Sequence, residues 1–103
     1  MQVEVISRRD DMLIRRLVLE PGDELSWHVD PCESFTVVVR GERLAIEFRD
    51  SGEKIDVRVH PGSAGWSSPE LRVHRAINTG STAYEEVVTF LLPAPGFDPQ
   101  PAA

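Results

Sequence analysis

Phe35-Thr36-Val37-Val38-Val39-Arg40-Gly41-Glu42-Arg43-Leu44-Ala45-Ile46-Glu47-Phe48-Arg49 decides the fold of this chain. Large apolar residues recur at every second position on both sides of Gly41: Phe35, Val37 and Val39 before it, Leu44, Ile46 and Phe48 after it. A period of two marks half-buried strands rather than helices, and the valines and isoleucine suit a pleated sheet. Working outward, Ile55, Val57 and Val59 alternate with Asp56, Arg58 and His60. Near the end, Tyr84, Glu86, Val88, Phe90 and Leu92 interleave with Glu85, Val87, Thr89 and Leu91. Between these segments lie Pro21-Gly22-Asp23, Asp30-Pro31, Arg40-Gly41-Glu42, Asp50-Ser51-Gly52, Pro61-Gly62 and Thr79-Gly80-Ser81. Each group carries residues that suit turns. Strands of this spacing predict an all-β sandwich or barrel. Met12 to Leu19 has a composition that also suits a short helix. Its flanks, Asp10-Asp11 and Pro21-Gly22, favour a strand.

At 103 residues the chain is one domain. We expect a barrel over residues 1–92 and a Pro-rich tail over 93–103, where four of the eight prolines fall. The formal charge of −6 lacks the broad positive field that phosphate backbones select, so nucleic acid is not an expected partner. No apolar run approaches the ~20 residues of a membrane span. Met1 to Asp10 has no apolar signal-peptide core, and the single cysteine, Cys32, permits no internal disulfide. A cytoplasmic location is the expectation.

Two longer stretches carry a resemblance. The first runs from Pro21 to Gly41, with Gly22 followed by five residues and then His28. The second runs from Pro61 to Gly80, with His74 followed by three residues and then Asn78-Thr79-Gly80. Together they resemble the two cupin motifs, and the chain is similar to small stand-alone bacterial cupins of the RmlC-like type. Asp30 stands where the family usually has a second His, Ser34 where it has a Glu, and Ser68-Pro69-Glu70-Leu71 replaces the Pro-x-Gly turn. The resemblance implies a double-stranded β-helix, or jelly-roll barrel, that binds a small ligand inside. It also implies a divalent transition ion (Fe, Mn, Ni or Zn).

For the metal, His28, Asp30 and His74 are the candidate ligands. Residues two apart on a strand face one side, so His28 and Asp30 point together. Two imidazoles and a carboxylate are the donor set of a facial triad or an open Zn site. Asp30 also opens an Asp-Pro turn, which needs no metal. Glu33 is the second candidate carboxylate. Ser34, Arg72 and Trp66 are further candidates for the pocket wall. Arg72 has a plainer alternative, a surface ion pair with Glu70, Glu85 or Glu86. His60 reads as solvated, Cys32 as a small loop residue, and Trp27 as outward-facing because it alternates with His28. An outward Trp in a small β protein fits a homodimer. Three functions stay open at this stage: a metal-dependent enzyme of the oxygenase or isomerase type on a small polar metabolite, a metal-free epimerase or dehydratase using His as base, and a non-catalytic ligand-binding module.

Overall fold

A computed structural model describes all residues from Met1 to Ala103. It contains nine strands and no helix: β1 (Gln2–Arg9), β2 (Met12–Leu19), β3 (Glu24–Asp30), β4 (Ser34–Arg40), β5 (Arg43–Phe48), β6 (Lys54–Arg58), β7 (Ala64–Ser67), β8 (Glu70–Asn78) and β9 (Tyr84–Leu91). They form two antiparallel sheets, ordered β1-β2-β9-β4-β7 and β3-β8-β5-β6. Facing each other, the sheets make the jelly-roll barrel that the resemblance implies, within the all-β sandwich or barrel that the alternation predicts. Met12–Leu19 is a strand and not a helix, paired along its whole length with β9 from Met12 opposite Leu91 to Leu19 opposite Tyr84. β1, which the alternation argument does not reach, pairs with β2 through a register shift between Val5 and Ser7.

The inward faces are set by parity. Leu17 and Leu19 from β2, Val38 from β4, Leu44 from β5, Ala76 from β8 and Tyr84 from β9 make one buried cluster. Leu13, Cys32, Val88, Phe90 and Leu92 make a second, with Phe97 of the C-terminal segment packed on it. On β4 the more apolar set, Phe35, Val37 and Val39, faces outward, while Ser34, Thr36 and Val38 face in. That parity follows from the pairing of β4 with β9, which puts Ser34 beside Phe90 and Thr36 beside Val88. The two apolar clusters thus lie towards opposite ends of β2 and β9, with Arg15 and Glu86 between them on those strands.

Two residues of the motifs hold the frame. Gly41 has φ +143°, and a Cβ there would lie 2.8 Å from the Tyr84 ring, so only glycine fits beside that ring. Asn78 is 2% exposed. Its amide donates to the carbonyls of Leu19 and Thr82 at 2.9 Å, and its Oδ1 accepts from Gly80 N–H at 2.9 Å. One side chain therefore joins the end of β2, the end of β8 and the turn into β9. The Asn-Thr-Gly of the second motif is this clasp. The C-terminal segment lies extended along the free edge of β3, with Val29 N–H donating to Pro101 O (3.2 Å) and Ala103 N–H to Trp27 O (3.1 Å).

Asn78→Ala leaves buried carbonyls and an amide without partners. We expect a loss of about 2–3 kcal/mol, which for a domain this size lowers Tm by roughly 8–20 °C. Thermal denaturation of the two proteins checks it.

Candidate metal centre

The β3–β8 ladder places His28 directly opposite His74. The next registered pair is Asp30 with Glu70, two residues along β3 but four along β8, so the ladder is bulged between them. Such a bulge re-aims side chains at a strand end. His28 and Asp30 share the inward face of β3, and both imidazoles are buried. The ring centroids of the two histidines are 4.5 Å apart. The ligand atoms of His28, Asp30 and His74 all lie within 4.8 Å of one another. His74 Nε2 is 2.7 Å from Asp30 Oδ2, and His28 Nε2 is 3.6 Å from Asp30 Oδ1. The shorter reach of Asp than of His is no obstacle here.

Tautomers follow from the backbone. His28 Nδ1 donates to the carbonyl of Ser26 at 2.6 Å, and His74 Nδ1 to that of Arg72 at 2.8 Å. With Nδ1–H committed, Nε2 is the atom each ring offers to the common point, the arrangement usual for metal-ligating histidines. Burial disfavours the charged form of His28, but the nearby Asp30 carboxylate and the hydrogen bond to Ser26 O outweigh it and its pKa is raised. Burial likewise works against ionised Asp30, and the neighbouring His28 together with the hydrogen bond from Gln100 outweighs it and lowers its pKa. The cluster therefore keeps a carboxylate beside two imidazoles at the place where a cation would sit. The donor set fits a divalent transition ion.

The triad lies in the wall of a cavity of about 380 Å³ between the two sheets. That volume is in the range of small-molecule sites. Ser34, Thr36, Phe48, Glu70, Glu86 and Gln100 share the lining with it.

The remaining sequence candidates divide. Ser34 is buried and lines the cavity, as its motif position suggests. Glu33 is exposed, because it falls on the outward parity just before β4. Trp66 is 64% exposed and packs edge-on against Phe35 on the outside of the barrel, because β7 pairs it with that outward residue. Arg72 is exposed too. It grips Asp50 through two bonds of 3.0 and 2.9 Å and lies over Phe48, so its surface partner is Asp50 and not one of the glutamates considered above. Glu33, Arg72 and Trp66 are not pocket residues. Arg75 is held outside as well, by Glu47 and Glu24, and stacks on the outward-facing Trp27. Cys32 is buried in the second core cluster, and burial, with Asp30 and Asp98 nearby, raises its thiol pKa. His60 is exposed.

Two buried charged residues were missed in the sequence: Glu86, considered only as a surface partner of Arg72, and Arg15. Glu86 lines the cavity and accepts a hydrogen bond from Tyr84 Oη at 2.7 Å. Burial raises its pKa against the lowering effect of Tyr84 and Arg15. Arg15 is buried on the inward face of β2 over the Phe90 ring. Both share strand parity with core residues, Glu86 with Tyr84, Val88 and Phe90, Arg15 with Leu13 and Leu17. That charged interruption of an apolar face was the available signal.

No family model matches this sequence, and no curated protein matches it. Solved structures do. A cupin domain from Bordetella pertussis superposes with a TM-score of 0.78 at 19% identity, covering 88% of this chain and 92% of that one. This chain has the cupin fold. An uncharacterised double-stranded β-helix protein from Klebsiella pneumoniae gives a TM-score of 0.68 at 23% identity, over 96% of this chain and 80% of that one. Oxalate oxidase gives 0.61 at 22% identity, over 84% of this chain and 44% of the longer enzyme. The triad lies between the two sheets of this fold.

Because Glu86 has a raised pKa when folded, its effect on stability is most favourable below the unfolded carboxylate value of about 4.3 and is lost as pH rises through the folded value. Glu86→Gln fixes the neutral form. In chelator-treated protein we expect its Tm to exceed that of the wild type at pH 8, with the gap closing towards pH 4. Thermal denaturation across that range checks it.

Proposed function

We propose that this cupin binds one divalent transition ion through His28, Asp30 and His74 and acts on a small polar molecule in the adjoining cavity. The observation that carries the reading is the convergence of two imidazole Nε2 atoms and one carboxylate on a single buried point within 4.8 Å. An ion bound there by three protein ligands would supply Lewis acidity and open positions for water, oxygen or substrate. Around it, Ser26 O and Arg72 O hold the rings in one tautomer, and Gln100 Nε2, donating to Asp30 Oδ1 at 2.7 Å, holds the carboxylate.

The other carboxyl of the cavity has the opposite character. Asp30 is held anionic by its hydrogen bonds, whereas burial favours neutral Glu86. Two carboxyls pushed apart in this way divide the roles of ligand and proton donor. In this reading Glu86 gives a proton to the molecule in the cavity and takes one back. Oxygenase-type and isomerase-type reactions both use such a pair. A metal-free reaction on a nucleotide sugar would need cations to grip the pyrophosphate, and Arg72 and Arg75 are paired outside the barrel.

Calorimetric titration of chelator-treated protein with Mn²⁺ and with Zn²⁺ tests the reading. We expect one ion per chain in the wild type and at least about a 100-fold loss of affinity in His28→Ala and in His74→Ala, since outer partners alone are worth 10- to 100-fold. Equal sub-stoichiometric uptake by all three proteins would overturn it.

We further propose that two copies pair through the outer face of the five-stranded sheet. There Val37, Val39 and Trp66 are exposed beside Phe35, an apolar patch of the kind that partners cover. Light scattering after size exclusion should give a dimer mass for the wild type and a monomer mass for Trp66→Glu combined with Val39→Glu.

A further inference from the structure

The C-terminal segment puts one side chain into the site. Phe97 packs on the second core cluster. Beyond it, Val29 N–H donates to Pro101 O (3.2 Å) and Ala103 N–H to Trp27 O (3.1 Å), so Ala102 stands opposite His28 on the free edge of β3. The backbone that the segment grips thus flanks His28 on both sides and adjoins Asp30. Gln100, immediately before this pairing, lines the cavity beside the triad.

The direction of the Gln100 amide is fixed from behind. Arg15, buried on the inward face of β2, donates through Nη1 to Gln100 Oε1. A guanidinium has donors only, so the amide cannot turn over without setting its own N–H groups against Arg15. Gln100 Nε2 therefore faces Asp30 and donates to Oδ1 at 2.7 Å. The other oxygen, Oδ2, lies 2.7 Å from His74 Nε2. With Oδ1 engaged by the amide, Oδ2 is the oxygen left for an ion.

We propose that Gln100 is a positioning residue of the metal centre, oriented by Arg15, and that docking of the C-terminal segment and binding of an ion strengthen each other. This deepens the function proposed above and rests on its assignment of His28, Asp30 and His74 as ligands. Gln100 makes Asp30 a one-oxygen ligand through Oδ2. The coupling follows from where the amide is carried. It reaches Asp30 only while Pro101 and Ala103 are paired to β3, and an attachment of two backbone bonds opens more readily than the core strands. An ion that prefers the docked form holds the segment down by the same factor, by linkage.

The test titrates the chelator-treated full chain with Mn²⁺ as wild type, Gln100→Met and Arg15→Met. We expect at least about a tenfold loss of affinity in Gln100→Met, the lower end for the partner of a metal ligand. Arg15→Met, in which the amide is free to turn over, should lose less. Loaded with Co²⁺, Gln100→Met should absorb more weakly in the visible than the wild type, because a second Asp30 oxygen joining the ion raises its coordination number. A loss of stability alone does not change that band. In the wild type, saturating Zn²⁺ should slow hydrogen exchange at Val29 and Ala103 by about the same tenfold. Gly62, whose N–H donates to Val38 O and which is no part of the cavity wall, should exchange as before. Equal Mn²⁺ affinity in wild type and Gln100→Met, or lost affinity with an unaltered Co²⁺ spectrum, would overturn the positioning role. Exchange at Val29 and Ala103 that Zn²⁺ leaves unchanged would overturn the coupling. If Gln100→Met does not fold, Arg15→Met and the wild-type exchange rates decide. A wild type that takes up no ion overturns the metal reading and this proposal with it, whereas uptake without any of these differences overturns this proposal alone.

Discussion

His28 faces His74 across the β3–β8 ladder, and the interior of the protein is arranged around that pairing. Neither ring can turn its Nδ1 inward, because each is tied to a carbonyl two residues back on its own strand. Both Nε2 atoms consequently point at one place, and Asp30 closes it from the same strand as His28. The cost of burying these groups is met by hydrogen bonds among themselves and to Gln100. A one-residue slip of β3 against β8 would send His28 and Asp30 to the outer face. The bulge between the His28–His74 and Asp30–Glu70 pairs then fixes where the carboxylate ends up.

The frame that protects this register is apolar and ordinary. Leu17, Leu19, Val38, Leu44 and Ala76 fill one end of the barrel, and Asn78 clasps the strands there. Between the sheets a cavity remains, with charges that the barrel does not fully neutralise among themselves. Asp30 stays ionised and Glu86 is pushed towards its neutral form. Shifts of this kind gather where a protein meets a ligand.

Position explains what could be read in advance and what could not. The strand alternation and the spacing of Gly22, His28, His74 and Asn78 made the barrel and the triad legible, since period two and motif spacing are local properties of the chain. Glu33, Arg72 and Trp66 were candidates on paper as well, because each lies within a few residues of a motif histidine or glycine. Their exclusion depends on which way a neighbouring strand pairs. Trp66 turns out because Phe35 does, and Arg72 turns out to meet Asp50. Glu86 and Arg15 were overlooked for the converse reason. Each lies outside the two motif stretches, and its inward aim is set by the parity of β2 and β9 in their pairing.

By itself, the sequence determined an all-β barrel of strands joined at Gly- and Pro-bearing turns, and the inward parity of His28 with Asp30. Those follow from backbone geometry acting over two to ten residues. Only the tertiary structure decided that His74 stands opposite His28, that Gln100 bridges Asp30 to Arg15, and that Glu86 shares their cavity. These contacts join residues between 44 and 85 positions apart in the pairs Asp30–His74, Asp30–Gln100 and Arg15–Gln100. Sheet order and register bring them together, and neither is written in any short stretch of the chain.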